Sequence, residues 1–409
     1  MRWFFWDGFA AGVAQLSPEQ RRAAAVAGSA HALHDGYTDL IYIMLPLWQA
    51  EFALSYAALG LLRSTFVGAM ASLQIPAGVL SERLGAAFVL ALGTCLAGLG
   101  YCLAGASSGF AMLLGALVIG GLGASAQHPI ASSLVARAFA GPRSLKALGA
   151  YNFSGDLGKM TVPATLSLML LAMPWRPALA ILGGVGLAMA AVIFLFTPRF
   201  DRGRVATAPD APAPDEGPRA RGAFALLLAI GVLDSATRMG FLLFLPFVLT
   251  AKGASLQDVG LAMTLVFAGG ATGKLACAFI GARIGAIATV WLTEALTAAG
   301  ILALLPLPLP AALPLLPLVG IALNGTSSVL YGSVPDLVTA ERRTRALSIF
   351  YTGTIGSGAV APVLFGRAGD ALGVVHAVVL VAAVALLTLP LAALLRPALA
   401  RRYGAAAGF

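Results

Sequence analysis

The sequence predicts an all-α polytopic membrane protein with twelve transmembrane helices in two pseudo-symmetric six-helix bundles. The 409 residues are 59% hydrophobic and only 11% charged, whereas a soluble domain carries about 25% charged residues. Apolar stretches of about 20 residues recur along the chain, and each is long enough to cross a bilayer. The second half repeats the first at a spacing of 200 residues. Matching pairs are Pro46 and Pro246, Ser55 and Ser255, Gly60 and Gly260, and Leu61 and Leu261.

The predicted spans follow one another through short connections, because backbone polar groups inside a bilayer must be satisfied within helices. A proline-rich run around Leu305–Pro317 leaves the junction between the ninth and tenth spans open. The spans cover approximately residues 22–50, 55–79, 86–105, 109–136, 146–172, 177–197, 222–250, 256–281, 285–305, 309–336, 345–368 and 374–397.

A segment rich in proline and charge separates the two halves. Residues 199–222 contain Pro209, Pro212 and Pro214 among acidic and basic residues, a composition that buries no core and is typical of a flexible linker. The sequence therefore predicts an N-terminal six-helix bundle at 1–198, a cytoplasmic linker at 199–222 and a C-terminal six-helix bundle at 223–409. Two equivalent hydrophobic halves are typical of transporters whose halves rock about a central site.

The net charge of +9 indicates membrane topology rather than a nucleic-acid partner. Basic residues outside the spans fall almost entirely on one side of the twelve-span arrangement, and only Arg176, Lys252 and Arg367 fall on the other. Because Lys and Arg concentrate in cytoplasmic loops, we expect an integral plasma (inner) membrane protein with both termini cytoplasmic. The three cysteines lie inside predicted spans without a CxxC pair, so we expect neither a metal site nor a cofactor.

A short loop after the second span reads Gly-Val-Leu-Ser-Glu-Arg-Leu-Gly at 78–85, and its counterpart reads Gly-Ala-Arg-Ile-Gly at 281–285. The first copy resembles the signature loop of the major facilitator superfamily, Gly-x-Leu-Ala-Asp-Arg-x-Gly. Ser-Glu stands where Ala-Asp is usual, and the second copy lacks the acid. The resemblance implies a transporter fold over essentially the whole chain and a gating role for Glu82, Arg83 and Arg283.

Within that superfamily the chain is most similar to the fosmidomycin-resistance branch of drug exporters. The similarity lies in the pair His34-Asp35 of the first span and in the Gln-His-Pro turn at 127–129. A run of serines and apolar residues at 132–137 and a glycine-spaced fifth span at 151–158 support it. The resemblance implies export of a small molecule and does not name it.

Polar and titratable side chains follow one face of the first predicted span. His31, His34, Asp35 and Asp39 step by three, one and four residues, which places them together on a helix. An ionisable group in the middle of a membrane costs at least about 2.5 kcal/mol on insertion scales, so each one is a candidate for function. Imidazoles and carboxylates four residues apart can share a proton. We therefore expect protons as the coupling ion.

Other polar residues extend this candidate binding site for substrate and protons. His128 lies in the fourth span, Asn152 and Asp156 in the fifth, and Asp234 with Arg238 in the seventh. By the superfamily resemblance, helices one, four, seven and ten line the cavity. A guanidinium suits a carboxylate, phosphate or phosphonate cargo. The pair Asp234–Arg238 is equally readable as a closed structural ion pair, and the pair Asp156–Lys159, three residues apart, is interpreted as structural.

These patterns predict a monomeric secondary active transporter, proton-coupled, that exports a small polar or anionic organic solute or drug across the lipid bilayer by alternating access. A transition-metal or metallophore carrier is the alternative, since the histidines and aspartates of the first span offer nitrogen and oxygen ligands. A membrane enzyme would need a nucleophile with its base or a His-Glu-x-x-His motif, and neither occurs. A receptor of transporter ancestry would normally carry a sizeable soluble domain.

Overall fold

The computed structural model describes residues 16–139, 142–198, 218–339 and 342–406, and this part of the chain is helical with no β-strand. The helices are α1 (Pro18–Phe52), α2 (Tyr56–Ser72), α3 (Gln74–Leu84), α4 (Ala86–Gly105), α5 (Phe110–Ala124), α6 (Gln127–Ala138), α7 (Pro142–Ala172), α8 (Trp175–Phe196), α9 (Pro218–Thr250), α10 (Leu256–Ile284), α11 (Ala286–Leu304), α12 (Leu309–Leu337), α13 (Arg343–Leu372) and α14 (Val374–Ala406).

Each predicted span corresponds to one helix or one broken pair of helices. Among the described residues, nine spans are long and apolar enough to cross a membrane, with α5 and α6 counted together. The pair α2 and α3, bent by 43°, makes a tenth. The other two predicted spans are α1 and α7, of 35 and 31 residues, whose polar side chains lower their hydropathy. The predicted all-α polytopic fold is confirmed.

The helix ends refine two predicted boundaries. Helix α11 ends at Leu304 and α12 begins at Leu309 after Pro308, with a further proline in its first turn. Proline is favoured there because its missing N–H is one that an N-terminal turn leaves unpaired anyway. Helix α9 begins at Pro218, earlier than the predicted start at 222, while linker residues 199–217 lie outside the described part of the chain.

The contacts divide the chain into two compact units. The first unit comprises Met1–Asp39, Ser72–Val162 and Met173–Val205, and the second comprises Leu40–Ala71, Pro163–Ala172 and Ala206–Phe409. The division therefore cuts through α1 and α7, and the second unit contains α2 and the ends of α1 and α7 besides the C-terminal half. Each unit has its own buried apolar cluster. Representative members are Ala27, Ile130, Leu134 and Ile193 in the first, and Leu227, Ile230, Val334 and Leu395 in the second.

Within the second unit, the first turn of α2 is held by the last turn of α13. The backbone N–H groups of Tyr56 and Ala57 donate to the two carboxylate oxygens of Asp370, at 2.7 and 3.0 Å. Gly60 lies directly against the backbone carbonyl of Pro362, which leaves no room for a Cβ atom. A carboxylate at a helix N-terminus satisfies unpaired amides and complements the helix dipole. We call this the Asp370 contact.

The equivalent helix start in the second repeat is capped differently. Ser255 and Asp258 form a capping box at the start of α10, in which each side chain accepts from the backbone N–H of the other. Position 58, which corresponds to 258, is an alanine. Helix α2 therefore lacks its own acidic cap and receives one from α13. Ser55 still accepts from the backbone N–H of Ala58 at 3.2 Å, so the start of α2 depends both on its own serine and on Asp370 of a distant helix.

Candidate functional site

The polar face predicted for α1 forms a buried cluster in the first unit. His31, His34 and Asp35 are 4%, 6% and 8% exposed. Helix α6 adds His128 near its start, and α7 adds Lys159. We call these five residues the first-unit cluster. Their assembly follows from helix periodicity on α1 and from close packing of α7 against it.

Asp35 lies at the centre of the cluster. Its Oδ2 is 3.3 Å from Nζ of Lys159, and its Oδ1 is 3.5 Å from Nε2 of His31 and 3.8 Å from Nε2 of His128. A buried carboxylate is tolerated only when it is paired or hydrogen-bonded. Lys159 therefore places a positive charge directly beside the buried carboxylate of Asp35.

The tautomer of His31 is fixed by a backbone contact. Its Nδ1 lies 2.8 Å from the carbonyl oxygen of Tyr151, and its ring stacks on the ring of Tyr151 at a centroid distance of 4.1 Å. A carbonyl oxygen only accepts, so Nδ1 must carry the hydrogen. In the neutral ring, Nε2 then presents a lone pair to Oδ1 of Asp35. A hydrogen bond between these two atoms needs one additional proton, which their separation of 3.5 Å can accommodate.

His34 and His128 extend the cluster through ring contacts. His128 meets His31 and His34 edge to face, at centroid distances of 5.3 and 5.2 Å. Nε2 of His34 is buried without a hydrogen-bond partner, as is Nε2 of Gln127. A cavity of about 10 Å³ is lined by His34, Tyr37 and Gln127, about the space that one water molecule needs.

Two glycines allow α7 to approach α1 at the cluster. A Cβ atom at Gly155 would lie 2.6 Å from the ring of His31 and 2.7 Å from Oδ2 of Asp35. Gly158 rests directly on the backbone carbonyl of Ala32. Side chains at these positions would separate the helices, so the glycine spacing of the fifth span serves to bring Lys159 within reach of Asp35.

Gly158→Ala is expected to destabilise the protein, because the new methyl group meets a backbone atom that cannot move aside. Overpacking of this kind typically costs about 1–3 kcal/mol. Gly149→Ala on the same helix is the matched control, since nothing lies within 4 Å of a Cβ atom there. Thermal unfolding in detergent should show a lower midpoint for Gly158→Ala and an unchanged or higher midpoint for Gly149→Ala. Equal midpoints would contradict the close packing.

The other residues predicted on α1 and α7 have different surroundings. Asp39 is 5% exposed and interacts electrostatically with Lys159, as does the half-buried Asp156. Asn152 is exposed on α7. The interpretation of Lys159 as the partner of Asp156 alone is incomplete, because the structure brings Lys159 to Asp35 on another helix. That contact depends on helix rotation, which the spacing along one helix does not reveal.

Three members of the cluster could also bind a metal ion. Ligand atoms of His31, Asp35 and His128 lie within 4.8 Å of one another. Nitrogen and oxygen donors of this kind suit divalent transition metals. The ammonium group of Lys159, 3.3 Å from Asp35, places a positive charge beside the same carboxylate and opposes a divalent cation there.

A second cluster lies in the second unit and consists of Asp234 and Arg238 on α9, Glu294 on α11 and Asn324 on α12. Nη2 of Arg238 is 3.6 Å from Oδ2 of Asp234, and Nη1 is 3.5 Å from Oδ1 of Asn324. Glu294 is 1% exposed and its carboxyl group hydrogen-bonds that of Asp234. Glu294 is absent from the predicted set, although its place inside an apolar span is the same signal that selected Asp234.

The predicted gating residues lie at two matching helix ends. Glu82 and Arg83 are exposed at the end of α3, and Arg283 is exposed at the end of α10. None of the three forms a side-chain hydrogen bond or ion pair with another described residue. Gly85 and Gly285 end these helices with φ of 93° and 85°, a conformation that favours glycine. The two copies of the loop therefore share their backbone geometry, although the second copy lacks an acidic residue equivalent to Glu82.

Comparison with known proteins agrees with this architecture. The family model described as Major Facilitator Superfamily matches residues 27–233 and 227–407, that is, both halves of the chain. The fosmidomycin resistance protein of Escherichia coli is 30% identical over 156 residues, which cover 37% of this chain and 38% of that protein. The predicted similarity to this branch is thus found over less than two fifths of the relative's length.

Two solved structures share the fold at low sequence identity. A bacterial homologue of the human lysosomal transporter Spinster, in an inward-facing and unoccupied conformation, has a TM-score of 0.79 and 15% identity, over 94% of this chain and 98% of that one. The human organic anion transporter MFSD10 (TETRAN) has a TM-score of 0.63 and 17% identity, over 92% and 100%. The family match and the fold together establish that the chain belongs to the Major Facilitator Superfamily and is a transporter rather than an enzyme.

Proposed function

We propose that the protein is a proton-coupled secondary transporter that exports a small polar or anionic organic solute by alternating access. The observation that supports proton coupling is the contact between His31 and Asp35. One nitrogen of His31 is committed to the Tyr151 carbonyl, and the other faces Asp35 across 3.5 Å. A proton bound between them makes a hydrogen bond, and its release leaves two opposed acceptors. Protonation of this site therefore changes the interaction between His31 and Asp35 from repulsion to attraction.

Charge balance supports the same assignment. With Lys159 positive and Asp35 negative, the cluster is neutral when its histidines are neutral. A proton arriving at the pair of His31 and Asp35 makes the cluster positive, which is costly inside a membrane. The protonated cluster is therefore stabilised either by release of that proton or by binding of an anion nearby. Coupling of transport to protons requires this kind of mutual dependence.

Arg238 is the proposed anion-binding residue. Its Nη2 contacts the carboxylate of Asp234 at 3.6 Å, and its Nη1 makes only a long contact with Asn324, at 3.5 Å. The guanidinium therefore retains capacity to donate hydrogen bonds to an anion. Guanidinium groups bind carboxylates and phosphates through two parallel hydrogen bonds. The names of two similar proteins, an organic anion transporter and a fosmidomycin resistance protein, support the same class of cargo and, for the second, export.

The cargo is identified by a thermal-shift screen of the purified protein against carboxylates, phosphates, phosphonates including fosmidomycin, and divalent metals. A ligand at 100 times its Kd stabilises the folded state by about 2.7 kcal/mol. We call the anion with the largest shift the probe anion. A screen in which no anion stabilises the protein would overturn the proposed cargo class.

Arg238→Lys is expected to lose most of the stabilisation by the probe anion, because an ammonium lacks the two-pronged geometry of the guanidinium. The double variant Asp234→Asn with Arg238→Gln removes both charges and leaves no unpaired ion. It should fold and fail to bind the probe anion. Normal anion-driven stabilisation of the double variant would show that the pair is structural.

A transition-metal or metallophore cargo is the second candidate, and the close ligand atoms of His31, Asp35 and His128 favour it. Lys159 opposes it electrostatically. Calorimetry with Zn²⁺ and Mn²⁺ distinguishes the two readings. We expect no binding to the wild type, and metal binding that His128→Ala removes would establish the alternative.

The Asp370 contact is proposed to hold one end of the transport path closed. It engages the start of α2, while Glu82 and Arg83 at the far end of the same predicted span make no side-chain ion pair or hydrogen bond within the described residues. Alternating access requires that contacts at the two ends form in turn. The exposed Arg83 and Arg283 would then engage in the opposite state.

Asp370→Ala is expected to shift the population toward the state in which the start of α2 is free. Loss of a capping carboxylate costs about 0.5–2 kcal/mol, enough for a shift of about 2- to 30-fold. Asp258→Ala removes a cap of the same chemistry within one helix and should leave the population unchanged. Labelling of Ala58→Cys in a cysteine-free background measures the difference. Equal labelling in all backgrounds would remove this role from Asp370.

The bilayer location follows from the apolar spans, and we propose the plasma (inner) membrane with both termini cytoplasmic and a monomeric transport unit. The uneven distribution of basic residues supports the orientation. Reporter fusions after Gly203 and after Phe409 should both give cytoplasmic signals. A periplasmic signal at either point would overturn the orientation.

A further inference from the structure

Two carboxyl groups meet inside the second unit, on different helices. Asp234 on α9 is 4% exposed and Glu294 on α11 is 1% exposed, and their carboxyl groups hydrogen-bond each other. An ionised carboxylate only accepts hydrogen bonds, so this bond requires a proton on one of the two groups. Burial makes the doubly ionised state still more costly, because two like charges would then share a dry site.

The nearby cation balances only one negative charge. Arg238 contacts Asp234 at 3.6 Å through Nη2, so Asp234 is the group that is stabilised as the ion. Titratable side chains that act on the two carboxyls come from α9 and α12, namely Arg238 and Tyr331.

The surroundings of the two carboxyl groups indicate that Glu294 holds the proton. Asp234 has the guanidinium of Arg238 as its partner. Glu294 is 1% exposed, and its Oε2 is buried without a hydrogen-bond partner. A buried carboxyl group with no cation in direct contact is better tolerated as a neutral acid than as a carboxylate.

We propose that Asp234 and Glu294 form a second proton-binding site, which holds one resident proton on Glu294 beside the ion pair of Asp234 with Arg238. The site lies in the C-terminal half of the chain and is built independently of the first-unit cluster. Its use in transport rests on the proposed function. When an anion takes Arg238, Asp234 loses its cation, and the carboxyl pair becomes able to bind a further proton. Anion binding would then be accompanied by proton uptake.

Infrared spectroscopy of the purified protein tests the resident proton without any transport assay. The carbonyl stretch of a protonated carboxyl group should be present in the wild type at pH 7, lost in Glu294→Gln and retained in Asp258→Asn. Glutamine has nearly the shape of glutamic acid and preserves packing. Should Glu294→Gln fail to fold, Asp234→Asn provides the second test, because it changes the hydrogen-bond partner and should shift the frequency of the same band. A band that either folded variant leaves unchanged would overturn the site.

Proton uptake on anion binding is measured separately, with a pH indicator in weakly buffered detergent solution. Addition of the probe anion should raise the pH with the wild type, less with Glu294→Gln and not at all with Arg238→Gln. A normal infrared band with no proton uptake would overturn the anion role of Arg238 in the proposed function and leave the resident proton established. If the infrared spectra of the wild type and Glu294→Gln do not differ in this band, the proton site is overturned, whatever the proton-uptake result.

Discussion

Asp35→Asn is expected to reduce pH-driven transport of the probe anion to the rate of protein-free vesicles, while the variant still folds. Asparagine keeps the shape of the side chain but cannot receive the proton that His31 shares with it. The contact with Lys159 changes from an ion pair to a hydrogen bond from the ammonium group to an uncharged amide, so stability falls as well. Initial uptake rates in proteoliposomes with an imposed pH gradient measure the effect.

The control for this variant is Asp258→Asn, the same substitution in a cap at the start of α10 that involves only its own helix. It should transport at the wild-type rate. If Asp35→Asn concentrates or expels the probe anion against its gradient as fast as the wild type, the carboxylate is not the coupling group. Gel filtration and thermal unfolding of both variants show that a loss of transport is not a loss of fold.

Lys159→Met is expected to destabilise the protein by about 3–5 kcal/mol, because it leaves the buried carboxylate of Asp35 without its cation. Methionine occupies a similar volume and cannot carry charge. The double variant Lys159→Met with Asp35→Asn removes both charges and should recover most of the lost stability, although Asp39 and Asp156 also act on Lys159. Thermal unfolding of the two single variants and the double variant forms the cycle that measures this coupling.

The double variant has a second use. It should fold and fail in pH-driven transport, since the proton position at Asp35 is gone. A double variant no more stable than Lys159→Met would show that the ion pair contributes little. Recovery of transport together with stability would show that the pair of Asp35 and Lys159 is structural only.

The architecture was largely predictable from the sequence, because its signals are local or repeated. Hydropathy and length gave the twelve spans, and the 200-residue repeat gave the matching turns at Gly85 and Gly285. Helix periodicity alone brought His31 and Asp35 together, since four residues on a helix place side chains one above the other. The break between α5 and α6 and the bend at Leu73 each lie three residues before a proline, Pro129 and Pro76, which removes a helix hydrogen bond to the residue four positions earlier. Because Pro46 and Pro246 lie inside continuous helices, proline alone does not identify which helices break.

Contacts between helices were predictable only in part. Lys159 was assigned to Asp156, three residues away, but its short contact is with Asp35 on α1. Asp370 caps a helix more than 300 positions earlier in the chain, and no spacing rule connects the two. Glu294 differs from these cases, since the cost of burying a carboxyl group would have identified it. The sequence thus located titratable groups better than their partners, because partners depend on how helices rotate and cross.

The measurement that tests the account most directly is proton movement driven by the cargo. Proteoliposomes with an internal pH indicator and no initial pH gradient receive an outward gradient of the probe anion. The wild type should move protons in step with the anion, and Asp35→Asn should move none. Anion flux through the wild type with no change of internal pH, under conditions in which a proton ionophore restores the response of the indicator, would contradict proton coupling.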